Sequence, residues 1–172
     1  MKNIILIGPM GCGKSFIGEL LAKRLQRQFV DLDWQIEASS GMSVQQIFEH
    51  QGEAAFRLLE EKALQAALRE SAQVIASGGG VVLSQHNHEQ IAANCWTVYL
   101  QVSAAEAIKR CEHSIQRRPL LDHTDKQSRW QQIMHQRESK YTALADMTLD
   151  TESCSPVELV EKIAQACEQY NG

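Results

Sequence analysis

Short apolar runs rich in β-branched residues alternate along this chain with segments whose apolar positions recur every three or four residues. The runs Asn3 to Ile7, Phe29 to Leu32, Val74 to Ser77, Thr97 to Gln101 and Met147 to Asp150 predict buried strands. After the first run, Phe16, Ile17, Leu20, Leu21 and Leu25 repeat at helical spacing. Val157, Leu159, Val160, Ile163, Ala164 and Cys167 form a similar stripe near the end, which reads as ordinary core packing. Helix starts are marked by three capping-box patterns, Ser43 with Gln46, Ser103 with Glu106, and Ser155 with Glu158, the last with Pro156 at the first helical position. Strand and helix in alternation predict an α/β domain on a parallel sheet. No repeat, low-complexity tract or Pro/Gly-rich linker divides the 172 residues, so one domain is expected.

The first strand runs directly into Gly8-Pro9-Met10-Gly11-Cys12-Gly13-Lys14-Ser15. Two glycines separated by four residues and followed by Lys and a hydroxyl residue, between strand and helix, form a phosphate-binding loop. The glycines let successive N–H groups turn inward, and the following helix presents its positive dipole end to the same anion. Lys14 is then expected on the β and γ phosphates of a nucleoside triphosphate and Ser15 on magnesium. His113 to Lys126 lacks apolar periodicity and follows the basic pair Lys109-Arg110, which reads as a lid over the nucleotide.

Composition narrows the partners. The net charge of -4 argues against general binding to nucleic acid or to a membrane surface. Five cysteines without a Cys-x-x-Cys pair, and no leader pattern, point to a reducing cytoplasm. His86 and His88 diverge on a helix and have no third ligand nearby in sequence, so no zinc site is read there.

Two carboxylates, Asp31 and Asp33, follow the second strand at the sheet edge where open α/β folds bind ligands. One could hold magnesium and the other orient or deprotonate an acceptor hydroxyl, or Asp33 could simply cap the next helix. Gly78-Gly79-Gly80 closes the third strand, where backbone can approach a ligand closely. Arg57, near Glu60 and Glu61, and Arg137 are not distinguished by spacing alone from solvated helix-face charges.

As an ordered set these residues resemble the shikimate kinase family. The resemblance rests on the phosphate loop, Asp31-x-Asp33, Gly52-Glu53 before Phe56-Arg57 and Glu60, the triple glycine, Arg118-Pro119-Leu120-Leu121, Arg137 with Tyr141, and Asp150 with Pro156. It implies a P-loop three-layer α/β/α fold with a five-stranded parallel sheet in order 2-3-1-4-5. A substrate-binding subdomain is implied over about residues 34–62 and a mobile lid over about 112–126. The implied reaction is transfer of the ATP γ-phosphoryl group to the 3-hydroxyl of shikimate, with Mg2+, by a monomer, on the route to chorismate and aromatic amino acids. Residue by residue, Asp33, Arg57, Gly79, Gly80 and Arg137 match the family's shikimate contacts. Lys14, Asp33 and Arg118 match its catalytic positions. Gly11, Cys12, Gly13, Lys14, Ser15, Phe16, Arg110, Arg118 and Pro156 match its nucleotide site, and Ser15 and Asp31 its magnesium site.

Pro9, Cys12 and Ser77 depart from the commoner family pattern without removing a backbone donor between Gly11 and Lys14. Cys12, beside a helix N-terminus, is a candidate for a lowered pKa and oxidation. The competing readings are a small P-loop kinase for gluconate or a nucleoside monophosphate, and a nucleotide-binding regulatory module without catalysis.

Overall fold

A computed structural model describes residues 1–113 and 125–170. The expected lid falls mostly outside these residues, and Arg118 lies wholly outside them. The elements run β1 (Asn3–Ile7), α1 (Lys14–Leu25), β2 (Phe29–Asp31), α2 (Leu32–Ser40), α3 (Val44–Ala67) and β3 (Val74–Ala76). A 3-10 turn (Val81–Leu83) leads to α4 (Gln85–Asn94), β4 (Cys95–Gln101), α5 (Ala104–Glu112), α6 (Lys126–Leu144), β5 (Met147–Asp150) and α7 (Pro156–Tyr170).

All five strands are parallel, in the order β2-β3-β1-β4-β5. The strand β1 is central because both its faces are apolar: Ile4, Ile5, Leu6 and Ile7 are each fully buried. Its register sets Leu6 beside Ala76 of β3 and Val98 of β4. Helices on both faces supply the cover that such a sheet requires. Asn3, polar at the start of the central strand, is reconciled with burial by two bonds: it accepts from the Gln73 N–H at 2.9 Å and donates to the Glu70 carbonyl at 2.9 Å.

A second, smaller core lies apart from the sheet. Ile36 of α2 and Ile47 and Phe56 of α3 bury one another, with Met42, Val44 and Phe48 packed around them. Helix α3 is broken at Gly52, whose φ of 83° is not helical. The break separates the turn that carries Phe48 from the helix that carries Phe56 and Arg57, yet the rings of Phe48 and Phe56 still meet at 4.8 Å.

The helix starts differ from the sequence pattern at two places. Ser43 and Gln46 form the complete reciprocal cap, and Ser155 and Glu158 also bond to each other's backbone. Ser103 caps α5, but its own N–H goes to Glu152 at 2.6 Å, while Glu106 turns to Arg110. The second strand ends at Asp31 rather than Leu32, and Asp31, not Asp33, caps α2 by accepting from the N–H groups of Asp33 and Trp34. That leaves the Asp33 side chain out of the capping role.

Candidate active site

The phosphate loop leaves the carboxyl end of β1 and wraps the N-terminus of α1. Gly11 has φ 80°, and a Cβ there would overlap the backbone of Ala107, so neither the torsion nor the space admits a side chain. The Lys14 ammonium is folded over the loop, donating to the carbonyls of Gly8 at 2.8 Å and Pro9 at 2.9 Å. Cys12 is buried beneath it, its Sγ 3.5 Å from Lys14 Nζ. The Ser15 hydroxyl donates to Asp31 Oδ2 at 2.5 Å. Burial pushes the Asp31 carboxyl above its ordinary range, opposed by the Ser15 hydrogen bond. A hydroxyl and a buried carboxylate side by side at the phosphate loop form an oxygen-only donor pair suited to a hard divalent cation.

An open cavity of about 980 Å³ lies over the loop, lined by Gly11, Gly13, Lys14, Ser15, Phe16 and Arg110. Arg110 is held by Glu106 at 2.9 Å and by the Thr151 hydroxyl at 3.0 Å. Among the described residues, Cys12 and Pro156 do not line this cavity; Cys12 supports the loop from below, and Pro156 is exposed at the start of α7.

A second cavity of about 430 Å³ adjoins the first. Val44, Phe48 and Phe56 make its apolar wall, and Arg57, Arg137 and the three glycines its polar one. Met10, Asp33 and Gly79 line both cavities, so the carboxylate of Asp33 stands at the junction.

Neither arginine of the second cavity is a solvated surface charge. Arg137 is 4% exposed. Arg57 donates through Nη1 to Glu60 at 2.7 Å and through Nη2 to Glu53 at 3.0 Å, and Glu60 is itself 1% exposed. The triple glycine makes this burial possible. A Cβ on Gly80 would overlap the Arg57 guanidinium, and one on Gly78 would overlap the Glu60 carboxylate and lie 3.2 Å from Asp33 Oδ1. The cluster thus sits where side chains at positions 78 and 80 would be. Met10, Val44 and Phe48 escape attention in the sequence because they read as ordinary apolar positions; the Phe48 and Phe56 spacing of two helical turns is the one available signal.

A phosphate loop on a 2-3-1-4-5 parallel sheet, beside a small cavity lined by a carboxylate and two arginines, defines a P-loop kinase of the nucleoside-monophosphate-kinase-like fold. The shikimate kinase family model matches residues 10–168. The shikimate kinase of Methylococcus capsulatus is 39% identical over 168 residues, covering 98% of this chain and 93% of that relative. That of Stenotrophomonas maltophilia is 41% identical over 166 residues, covering 94% of this chain and 92% of the relative. Among solved structures, the shikimate kinase from Acinetobacter baumannii in complex with shikimate superposes with a TM-score of 0.93 at 32% identity, over 99% of this chain and 94% of that one. The chain belongs to the shikimate kinase family, ATP-dependent phosphotransferases that act on an alcohol acceptor.

The buried acid gives the fold a pH signature. Burial raises the Glu60 carboxyl above its ordinary value, with Arg57 opposing, so Glu60 takes up a proton on folding within that window. The associated stability is complete below about pH 4.3 and is lost as pH rises through the raised value. Glu60→Gln is therefore expected to flatten the decline in the urea midpoint across this window; an unchanged slope would show that Glu60 does not carry it.

Proposed function

We propose that this chain transfers the γ-phosphoryl group of ATP to the 3-hydroxyl of shikimate, giving shikimate 3-phosphate and ADP on the route to chorismate and aromatic amino acids. The observation that carries the assignment of roles is the shared wall of the two cavities: Asp33 belongs to both, with the phosphate loop on one side and the paired arginines on the other.

The acceptor's single carboxylate is taken up by Arg57 and Arg137. Planar guanidinium forks match a carboxylate better than an ammonium does, and burial strengthens the match. Val44, Phe48 and Phe56 cover the apolar face of the ring, while Gly79 and Gly80 contribute backbone N–H groups. Asp33 accepts the hydrogen of the attacking hydroxyl, aligning it and serving as its proton acceptor. On the donor side Lys14 exchanges the loop carbonyls for β and γ phosphate oxygens, alongside the N–H groups of Gly11, Cys12 and Gly13. Phe16 and Arg110 complete the cavity wall of the nucleotide site; the family pattern alone adds Pro156, which lies outside that wall, and Arg118, which it places in the lid and which brings positive charge to the transferring group. Ser15 directly, and Asp31 through water, would hold Mg2+, which when bound neutralises charge on the phosphate oxygens. Catalysis then consists of alignment and charge stabilisation in a site that excludes water.

In this reading the substrate-binding subdomain is the small core of α2 and α3. The enzyme works as a cytoplasmic monomer without nucleic-acid partners, in keeping with its net charge of -4. No helix among the described residues is long and apolar enough to cross a membrane.

An acceptor panel tests the assignment. Purified protein with Mg2+ and ATP is expected to release ADP with shikimate far faster than with gluconate or any nucleoside monophosphate; the reverse ranking, or ATP binding without acceptor-dependent turnover, would overturn it. Arg137→Ala removes one partner of a desolvated ion pair, expected to cost about 2 to 5 kcal/mol. That is roughly thirty- to several-thousand-fold in kcat/KM for shikimate, against a much smaller change in ATP affinity. An effect below about threefold would return Arg137 to a structural role. For Asp33→Asn the expected result is a large loss of kcat with ATP binding retained by calorimetry, and normal turnover would remove Asp33 from the chemistry.

A further inference from the structure

Tyr141 is fully buried on α6, its ring stacked on Tyr99 at 5.1 Å, and its hydroxyl donates to the carbonyl of Gly79. Core packing accounts for the ring but not for the hydroxyl, whose partner lies 62 residues away in the wall of the acceptor cavity. Burial raises the phenol well above its ordinary range, with the neighbouring Arg137 opposing, so the hydroxyl stays protonated and remains a donor throughout the working pH range. Arg137, four residues earlier on the same helix face, also reaches the glycine run, with Nη1 3.6 Å from the position of a Cβ on Gly79.

We infer that Tyr141 is a positioning residue for the acceptor, acting through the Gly79–Gly80 peptide. No peptide bond in the described chain is cis, so the Gly79 carbonyl and the Gly80 N–H point in opposite directions from one plane. Tyr141 holds the carbonyl on the buried side, where the two tyrosines stack. The N–H of Gly80 is thereby turned away from the core and toward the cavity that residues 78 to 80 line. Among the described residues no backbone carbonyl takes that N–H, so it is available to a ligand oxygen. Three glycines in succession have wide torsional freedom, and without an anchor this peptide plane could rotate. The phenol supplies the anchor, and places it on the helix that also carries Arg137. The orientation of the backbone donor and of one carboxylate-binding guanidinium are then set together. This inference rests on the shikimate-phosphorylating reading of the same cavity.

Tyr141→Phe keeps the stacked ring and removes only the anchoring hydroxyl. It is expected to lower kcat/KM for shikimate about tenfold, mainly through KM, with KM for ATP changed less than about twofold. In the free variant the Gly80 amide resonance in a 1H–15N spectrum is expected to shift and broaden. Tyr99→Phe, which trims the other ring of the same stack, serves as the control and is expected to leave both constants unchanged. A Tyr141→Phe enzyme with a lowered melting temperature, wild-type constants and an unmoved Gly80 resonance would overturn the inference and leave Tyr141 structural. Wild-type enzyme that fails to turn over shikimate would instead overturn the functional reading itself, so the two failures are distinguishable.

Discussion

The Arg57 guanidinium occupies the space that a side chain at residue 80 would fill, and its partner Glu60 occupies the space above residue 78. Much of the site follows from that exclusion. The buried Glu60 carboxylate is tolerated because Arg57 pairs with it at 2.7 Å in a closely enclosed cluster, since an unpaired buried charge is far more costly than the pair. The glycine run provides the enclosure from the sheet side, and the small core of α2 and α3 provides it from the other. The second cavity is therefore assembled by three parts: the glycine run supplies backbone, the smaller core supplies Asp33, Arg57 and aromatic surface, and α6 supplies Arg137.

The junction between the cavities follows from Asp31 and Asp33 having different tasks. Asp31 is spent on the start of α2 and on the Ser15 hydroxyl, which ties the second strand to the phosphate loop. Asp33, two residues on in the first turn of the helix, lines both cavities. The strands β1 and β2, joined through β3, hold the phosphate loop and the start of α2 in one frame.

The fold and the donor half of the site were legible because their signals are local. A phosphate loop is one stretch of chain between a strand and a helix, and the apolar periods on either side identify both. The second cavity was legible only through family resemblance, since its groups come from α2, α3, the glycine run and α6. Arg57 and Arg137 sit at positions that suit a solvated helix face, and only the tertiary arrangement buries them. Tyr141 enters the sequence reading only as part of the family pattern with Arg137, and the partner of its hydroxyl is not its neighbour in sequence. The small misses have the same origin. Leu32 is fully buried whether it ends a strand or begins a helix, so its apolar character could not place the boundary. The Ser103 cap lost its reciprocal half because Glu152, 49 residues away, took the N–H.

Because β1 lies between β3 and β4, its two flanks are completed at very different times during synthesis. Its first neighbour, Val74–Ala76, is joined through long helical crossovers, and its second, Cys95–Gln101, emerges later still. Until that point a ribosome-bound chain would present the central apolar strand with at least one bare edge, a template for pairing with other chains. Only when Cys95–Gln101 pairs with β1 are both of its edges covered, so truncations that end before β4 lack a partner for the central strand.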